Sequence, residues 1–284
     1  MNTRWLTSVL ACSMAFSVPA LAQQPAPADT KPPAKKPAAP KPAPAPKPAA
    51  PLPEYTGKNP KTMAANAGTP DNTAPQGFVA VFNGKDLTNW HGLLNRPNDN
   101  PIKRAALSPE EKAKAQAEAD ENMRANWKVE DGALVFSGKG RSLCTVQQYG
   151  DFEMWVDWKI KEKGDSGIYV RGTPQIQIWD PGEGGKNAVG SGGLFNNQKN
   201  PAIPLKKADR PIGEWNTFFI RMVGEKVTIY LNGELVVDDV TLENYWDRTK
   251  PVLAKEQIEL QNHGNTLWFK NVYIKELPAQ SPAK

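Results

Sequence analysis

Residues 164–180 read Gly164-Asp165-Ser166-Gly167-Ile168-Tyr169-Val170-Arg171-Gly172-Thr173-Pro174-Gln175-Ile176-Gln177-Ile178-Trp179-Asp180. The run predicts two strands joined by a Gly-Thr-Pro turn. Because side chains alternate along a strand, Gln175, Gln177 and Trp179 share one face, while Ile176, Ile178 and Asp180 share the other. Two amides and an indole are badly suited to a dry core. They suit a sugar, which needs paired hydrogen-bond partners and a flat apolar platform. The same pattern also reads as an exposed sheet face carrying polar residues.

The rest of the chain from Gly77 repeats this style. Further strands are expected at 77–82, 127–129, 133–137, 143–145, 152–161, 215–223, 226–231, 234–240, 257–261 and 267–276, with tight Asn-Gly turns at 83–84 and 232–233. Short strands, Gly/Asn/Asp turns and no alternation with helices predict an all-β, antiparallel sandwich. One helix is expected at about 108–126. Ser108 reads as its N-cap, Pro109 as its first residue and Glu111 as the partner in a capping box. Its few large apolar residues mark it as a surface helix inserted between strands. Glycine-rich residues 182–193 open no helix and read as a loop, not as a phosphate cradle.

The N-terminus has a different composition. Arg4, an apolar run from Leu6 to Val18, and Ala20-Leu21-Ala22 compose a signal peptide over 1–22, cleaved after Ala22. The product is then periplasmic or secreted. The run is too short to span a bilayer stably. Residues 23–76 are expected as a disordered Pro/Ala/Lys-rich linker, since they hold too little apolar surface to offset their ordering entropy. The domain is expected at 77–278 and a flexible tail at 279–284.

Between residues 23 and 53 five lysines face one aspartate, a net of +4, and Arg4 completes the formal +5 of the whole chain. The folded part is therefore near neutral, which argues against nucleic acid as a partner. The basic linker is suited to contact with the cell envelope. Of the two cysteines, Cys12 leaves with the signal, so Cys144 has no intramolecular partner.

Strand parity gathers the candidate chemistry. Glu153, Trp155 and Asp157 lie opposite the apolar face Phe152, Met154, Val156, Trp158 and Ile160. Glu259, Gln261 and His263 lie opposite Ile258 and Leu260. If these strands share one curved sheet with Gln175, Gln177 and Trp179, they line a single groove. Each also has a plain reading. Glu153 and Asp157 suit a solvent-facing surface, His263 a turn cap, Asp180 a strand-end acceptor, and Arg171 a clamp on a carbonyl or an acid. Two histidines do not compose a zinc site. No cofactor is implied, and a divalent metal stays open.

Several motifs occur in order: Gly77-Phe78 with Phe82-Asn83-Gly84-Lys85-Asp86-Leu87 and Trp90; Trp127-Lys128-Val129-Glu130-Asp131-Gly132; Tyr149-Gly150-Asp151-Phe152-Glu153; Asp165 to Arg171; Gly213-Glu214-Trp215-Asn216; Leu231-Asn232-Gly233; Leu260-Gln261-Asn262-His263-Gly264; and Phe269-Lys270-Asn271. Through these, 77–277 resembles the 3-keto-disaccharide hydrolase domain family of secreted bacterial proteins. The resemblance implies a concanavalin-like jelly-roll sandwich with a carbohydrate groove on its concave side. It also implies action on glycosides oxidised at C3. Many members carry Tyr-Glu-x-Gln-x-x-Asp where this chain has Pro174-Gln175-Ile176-Gln177-Ile178-Trp179-Asp180, so a glutamate is replaced by an amide that cannot act as a base.

The leading expectation is an exported enzyme cleaving 3-keto-glycosides. His263, Glu153 and Asp180 are the candidates for base or acid. Arg171, Gln175, Gln177 and Gln261 would bind hydroxyls or an oxyanion, and Trp155 or Trp179 would stack on the sugar. Two rivals are a two-carboxylate glycosidase drawing on Glu153, Asp157 or Glu259, and a non-catalytic carbohydrate-binding module.

Overall fold

The computed structural model describes residues 70–278. The expected signal peptide, the linker up to residue 69 and the tail from 279 lie outside the described residues. Thirteen strands compose two antiparallel sheets. They are β1 (Val79–Ala80), β2 (Trp90–Gly92), β3 (Trp127–Glu130), β4 (Ala133–Ser137), β5 (Leu143–Tyr149), β6 (Phe152–Ile160), β7 (Asp165–Val170), β8 (Thr173–Trp179), β9 (Asn216–Val223), β10 (Lys226–Leu231), β11 (Glu234–Thr241), β12 (Glu256–Leu260) and β13 (Thr266–Glu276).

The larger sheet runs β11-β10-β9-β6-β13-β4-β3, with β1 also paired to β13. The smaller runs β2-β5-β12-β7-β8. The chain crosses between the sheets repeatedly, as in a jelly roll: β4 to β5, β5 to β6, β6 to β7, β8 to β9, β11 to β12 and β12 to β13 all change sheet. This is the expected all-β sandwich.

One apolar face of each sheet meets the other. Phe152, Met154, Val156, Trp158 and Ile160 of β6 join Ile168, Val170, Ile176, Ile178, Ile258 and Leu260 of the smaller sheet in one core. Each large side chain buried this way contributes about 1.5–3 kcal/mol. The second face of the smaller sheet is thereby left outward. Its residues are Asp165, Gly167 and Tyr169 on β7, Gln175, Gln177 and Trp179 on β8, and Glu259 on β12.

Two helices lie between β2 and β3: α1 (Pro101–Ala105) and α2 (Pro109–Asn126). The longer starts where the capping residues indicate. Ser108 accepts from Glu111 N–H at 3.2 Å, and the Glu111 carboxylate accepts from Ser108 N–H at 2.8 Å. It sits directly on β2, because a Cβ on Gly92 would fall 2.0 Å from the Ala119 carbonyl oxygen. Neither β2 nor α1 is marked by the sequence pattern.

The end of the expected linker is docked rather than free. Asn72 exchanges hydrogen bonds with Asn271, and Asp71 accepts from Lys270 Nζ at 2.7 Å. No helix among the described residues is long and apolar enough to cross a membrane.

Candidate active site

The outward face of the smaller sheet is the floor of a cleft of about 1250 Å³. The register defines its rows. Asp165 pairs with Trp179, Gly167 with Gln177, and Glu259 with Tyr169. Gln261 continues β12, its N–H donating to the Gly167 carbonyl at 2.9 Å. His263 follows in the same parity. Its turn is tied down by Asn262, whose Oδ1 accepts from Gly264 N–H at 2.7 Å, and by Asn265, whose Oδ1 accepts from Asp165 N–H at 3.2 Å.

A hydrogen-bonded line crosses this floor. Gln175 Nε2 donates to Gln177 Oε1 at 2.5 Å, and Gln177 Nε2 donates to Asp165 Oδ1 at 2.8 Å. Asp165 Oδ2 then lies 3.4 Å from His263 Nδ1. Gln177 Nε2 also meets the carbonyls of Ser166 and Ile178, both at 3.1 Å, so its amide is fully committed to the protein. Gly167 makes the line sterically possible: a Cβ there would meet the Gln175 side chain at 3.0 Å.

The other half of the floor holds Glu259 and Tyr169. Burial pushes the Glu259 carboxyl up to about 7, against a partial offset from the Ser142 hydroxyl and the Arg104 charge. Burial, with Glu259 adding to it, likewise raises the Tyr169 phenol, so this hydroxyl keeps its proton. Gln261 Nε2 donates to Tyr169 Oη at 3.1 Å.

Loops supply the walls. Trp179 stands edge-on to Phe195, with ring centroids 5.5 Å apart, and Lys186 Nζ lies 4.9 Å from the Phe195 centroid. Tyr245 and Trp246 pack edge to face at 5.1 Å, and Trp246 Nε1 is held by the Gly172 carbonyl at 2.6 Å. The opposite rim is the segment after β2, pinned by the buried Arg104, which donates to the Asn98 and Asp99 carbonyls at 3.3 and 3.0 Å. The lining thus combines aromatic platforms with amides and hydroxyls, the composition a sugar cleft needs. Among the described residues no three of His, Cys, Asp and Glu gather into a metal-binding cluster.

The sequence-derived candidates divide between this cleft and the rest of the fold. Gln175, Gln177, Trp179, Gln261 and His263 all line it. Glu153 and Trp155 do not, because β6 lies in the other sheet. Glu153 is buried there against Lys275 Nζ at 3.2 Å and Arg221 Nε at 3.5 Å. Trp155 is covered by Phe78, Phe219, Tyr230 and Tyr273, with no face left for a ligand. Asp157 is buried on that same side, bonded to Thr217 and Asn271, and burial raises its carboxyl.

Arg171 is also elsewhere. The turn of the β7–β8 hairpin is Arg171-Gly172, with φ of +52° and +69°, not Gly-Thr-Pro. That two-residue, positive-φ turn carries the guanidinium to Asp151, which it pairs with, and to the carbonyls of Gly150 and Leu253 at 2.6 and 2.9 Å. Asp180 caps a 3-10 turn, accepting from Gly182 N–H at 2.7 Å and Lys163 N–H at 2.9 Å. Both serve the backbone. His91 is held by Gln257 Oε1 at 3.0 Å, and burial lowers its pKa.

The cleft residues missed as candidates include Asp165 and Tyr169. Asp165 fell outside because β7 starts two residues earlier than its apolar pattern suggests. The alternation Asp165-x-Gly167-x-Tyr169 was the available signal for both. The loop aromatics Phe195, Tyr245 and Trp246 carry no periodic signal.

A family described as the 3-keto-alpha-glucoside-1,2-lyase-like domain matches residues 77–275. The chain belongs to this family. It is similar to a 3-keto-disaccharide hydrolase of Bacteroides thetaiotaomicron, at 21% identity over 257 residues, covering 71% of this chain and 79% of that protein. It is also similar to two solved structures from Parabacteroides distasonis, each provisionally described as a glycosyl hydrolase. One is 26% identical with a TM-score of 0.53, covering 72% of this chain and 86% of the other. The second is 24% identical with a TM-score of 0.53, covering 73% and 100%, and shows the fold alone. The domain that matches this family thus carries an amide-rich cleft on its smaller sheet.

Proposed function

We propose that this chain is an exported enzyme that cleaves 3-keto-glycosides by elimination followed by addition of water. The observation that carries the reading is the meeting, on one cleft floor, of an imidazole 3.4 Å from a carboxylate and a buried carboxyl pushed up to about 7. A ketone at C3 acidifies the C2 proton, so cleavage needs a base at C2 and an acid at the glycosidic oxygen. It does not need an oxocarbenium route with paired carboxylates.

In this reading Asp165 orients His263 through Nδ1, which leaves Nε2 as the lone-pair nitrogen that takes the C2 proton. The C2–H electron pair moves onto the ketone oxygen as an enolate. It then returns to form C1=C2 as the C1–O bond breaks, and the aglycone oxygen takes a proton from Glu259. Water adds at C1 of the resulting enone, with the proton restored at C2. The sum is hydrolysis. A carboxyl poised near neutrality suits the acid role, since it is both populated and willing to give its proton. Gln175 and Gln177 support Asp165, and Trp179 offers the stacking surface.

The signal-like N-terminus supports export. The two-carboxylate rival loses Glu153 and Asp157, which face the other side of the sandwich. The amide at Gln175, where many relatives carry glutamate, favours the binding-module reading. The deciding experiment is product release from a 3-keto-disaccharide and from its unoxidised parent, with deuterium at C2 of the keto ring. Cleavage of the keto sugar alone, slowed by C2 deuterium, is expected. Cleavage of the parent, or binding without cleavage of either, refutes the reading.

A further inference from the structure

Gln261 is 9% exposed, and its Oε1 has no hydrogen-bond partner among the described residues. A buried acceptor left unpaired is costly, so a position like this one is normally completed by a ligand or water. The other end of the amide faces Tyr169, Nε2 donating to Oη at 3.1 Å. Tyr169 therefore spends a lone pair on Gln261, and its O–H has no protein acceptor among the described residues. Both residues line the cleft, Tyr169 directly opposite Glu259 in the register and Gln261 between Glu259 and His263 along the chain. The site thus presents one free donor beside one free acceptor on a shared, rigid support.

We infer that Tyr169 and Gln261 together read an α-hydroxy-ketone edge, Tyr169 donating to the ketone oxygen and Gln261 Oε1 accepting from the hydroxyl on the adjacent carbon. This rests on the elimination reading and names the feature of the substrate that the cleft recognises. As the C2–H pair shifts onto oxygen, the ketone becomes an enolate and the Tyr169 hydrogen bond becomes charge-assisted. The interaction is then stronger in the transition state than in the bound ground state. An alcohol at C3 develops no such charge, so the couple favours the oxidised sugar over its parent. The roles expected for Arg171 and Gln177 are filled instead by a phenol and an amide whose buried oxygen is unpartnered among the described residues.

Two variants test this on the full chain. Tyr169→Phe keeps the ring and removes the donor. Its kcat on a 3-keto-disaccharide should fall on the order of 100-fold, with KM changed much less. Gln261→Glu keeps the shape but removes the Nε2 donor. Tyr169 must then donate to the new carboxylate, so activity should fall similarly at neutral pH and recover in part at acid pH, where the carboxyl can donate again. Tyr169→Phe with kcat within threefold of the wild type, or Gln261→Glu fully active at neutral pH, overturns the inference.

Binding separates this from failure of the elimination reading. In a His263→Ala background, calorimetry with methyl 3-keto-glucoside and with methyl glucoside should show a small preference for the keto sugar, no larger than the KM change, that Tyr169→Phe abolishes. That preference supports the couple even if no turnover is seen. Equal affinity for the two ligands overturns it even if turnover is seen.

Discussion

Glu259→Gln separates the two consequences of a buried, near-neutral carboxyl. Burial pushes the Glu259 carboxyl up to about 7 from its ordinary 4.5. Below pH 4.5 the group is protonated in both folded and unfolded chains and contributes fully. Between 4.5 and 7 the unfolded chain ionises while the folded one resists, so stability drains away at about 1.4 kcal/mol per pH unit. Above 7 the loss is complete, at about 3 kcal/mol. Glutamine cannot ionise and fits the same space. The variant should match the wild type at pH 4 and exceed it by about 3 kcal/mol at pH 8. Urea unfolding midpoints measured from pH 4 to 8 for both proteins give the difference directly. The same variant should lose turnover and its pH-rate limb near 7. Parallel stability curves for the two proteins would refute the burial argument, and full turnover in the variant would remove Glu259 from the chemistry.

Three further outcomes follow from the same geometry. Glu153→Gln should leave kcat/KM for a 3-keto-disaccharide unchanged while lowering stability by about 1 kcal/mol, because its partners Lys275 and Arg221 lie on the far sheet. Arg171→Ala removes the guanidinium paired with the Asp151 carboxylate, which keeps its bond from Gly224 N–H, and should lower unfolding stability by about 3 kcal/mol in urea titrations, with the kinetics of the remaining folded protein intact. Gly167→Ala places a methyl 3.0 Å from Gln175, so it should displace the amide line and cut kcat several-fold, while circular dichroism reports an unchanged fold.

The architecture was legible because strand alternation is a local property. The apolar face of β6, the Gln175/Gln177/Trp179 face of β8 and the Ser108 capping box all hold as read. Local signals failed where a boundary depended on pairing. β7 begins at Asp165 because that residue pairs with Trp179, a pairing that the local alternation Asp165-x-Gly167-x-Tyr169 does not fix. Arg171 looks like the next outward residue of β7, but the positive-φ turn removes it from the face.

Alternation assigns each side chain to one of two faces, and the chain alone determined those assignments, the sandwich class and the family. Which faces look into the same space depends on sheet membership, which is set by pairings far apart in sequence. Glu153 and Gln175 have equivalent parity and similar polarity, yet β6 pairs with β9 and β13 while β8 pairs with β7. Packing the two apolar faces together turned the two polar faces to opposite sides of the molecule. Only that tertiary arrangement separated a buried structural carboxylate from the cleft, and only it brought Asp165 within 3.4 Å of His263 across about a hundred residues of chain.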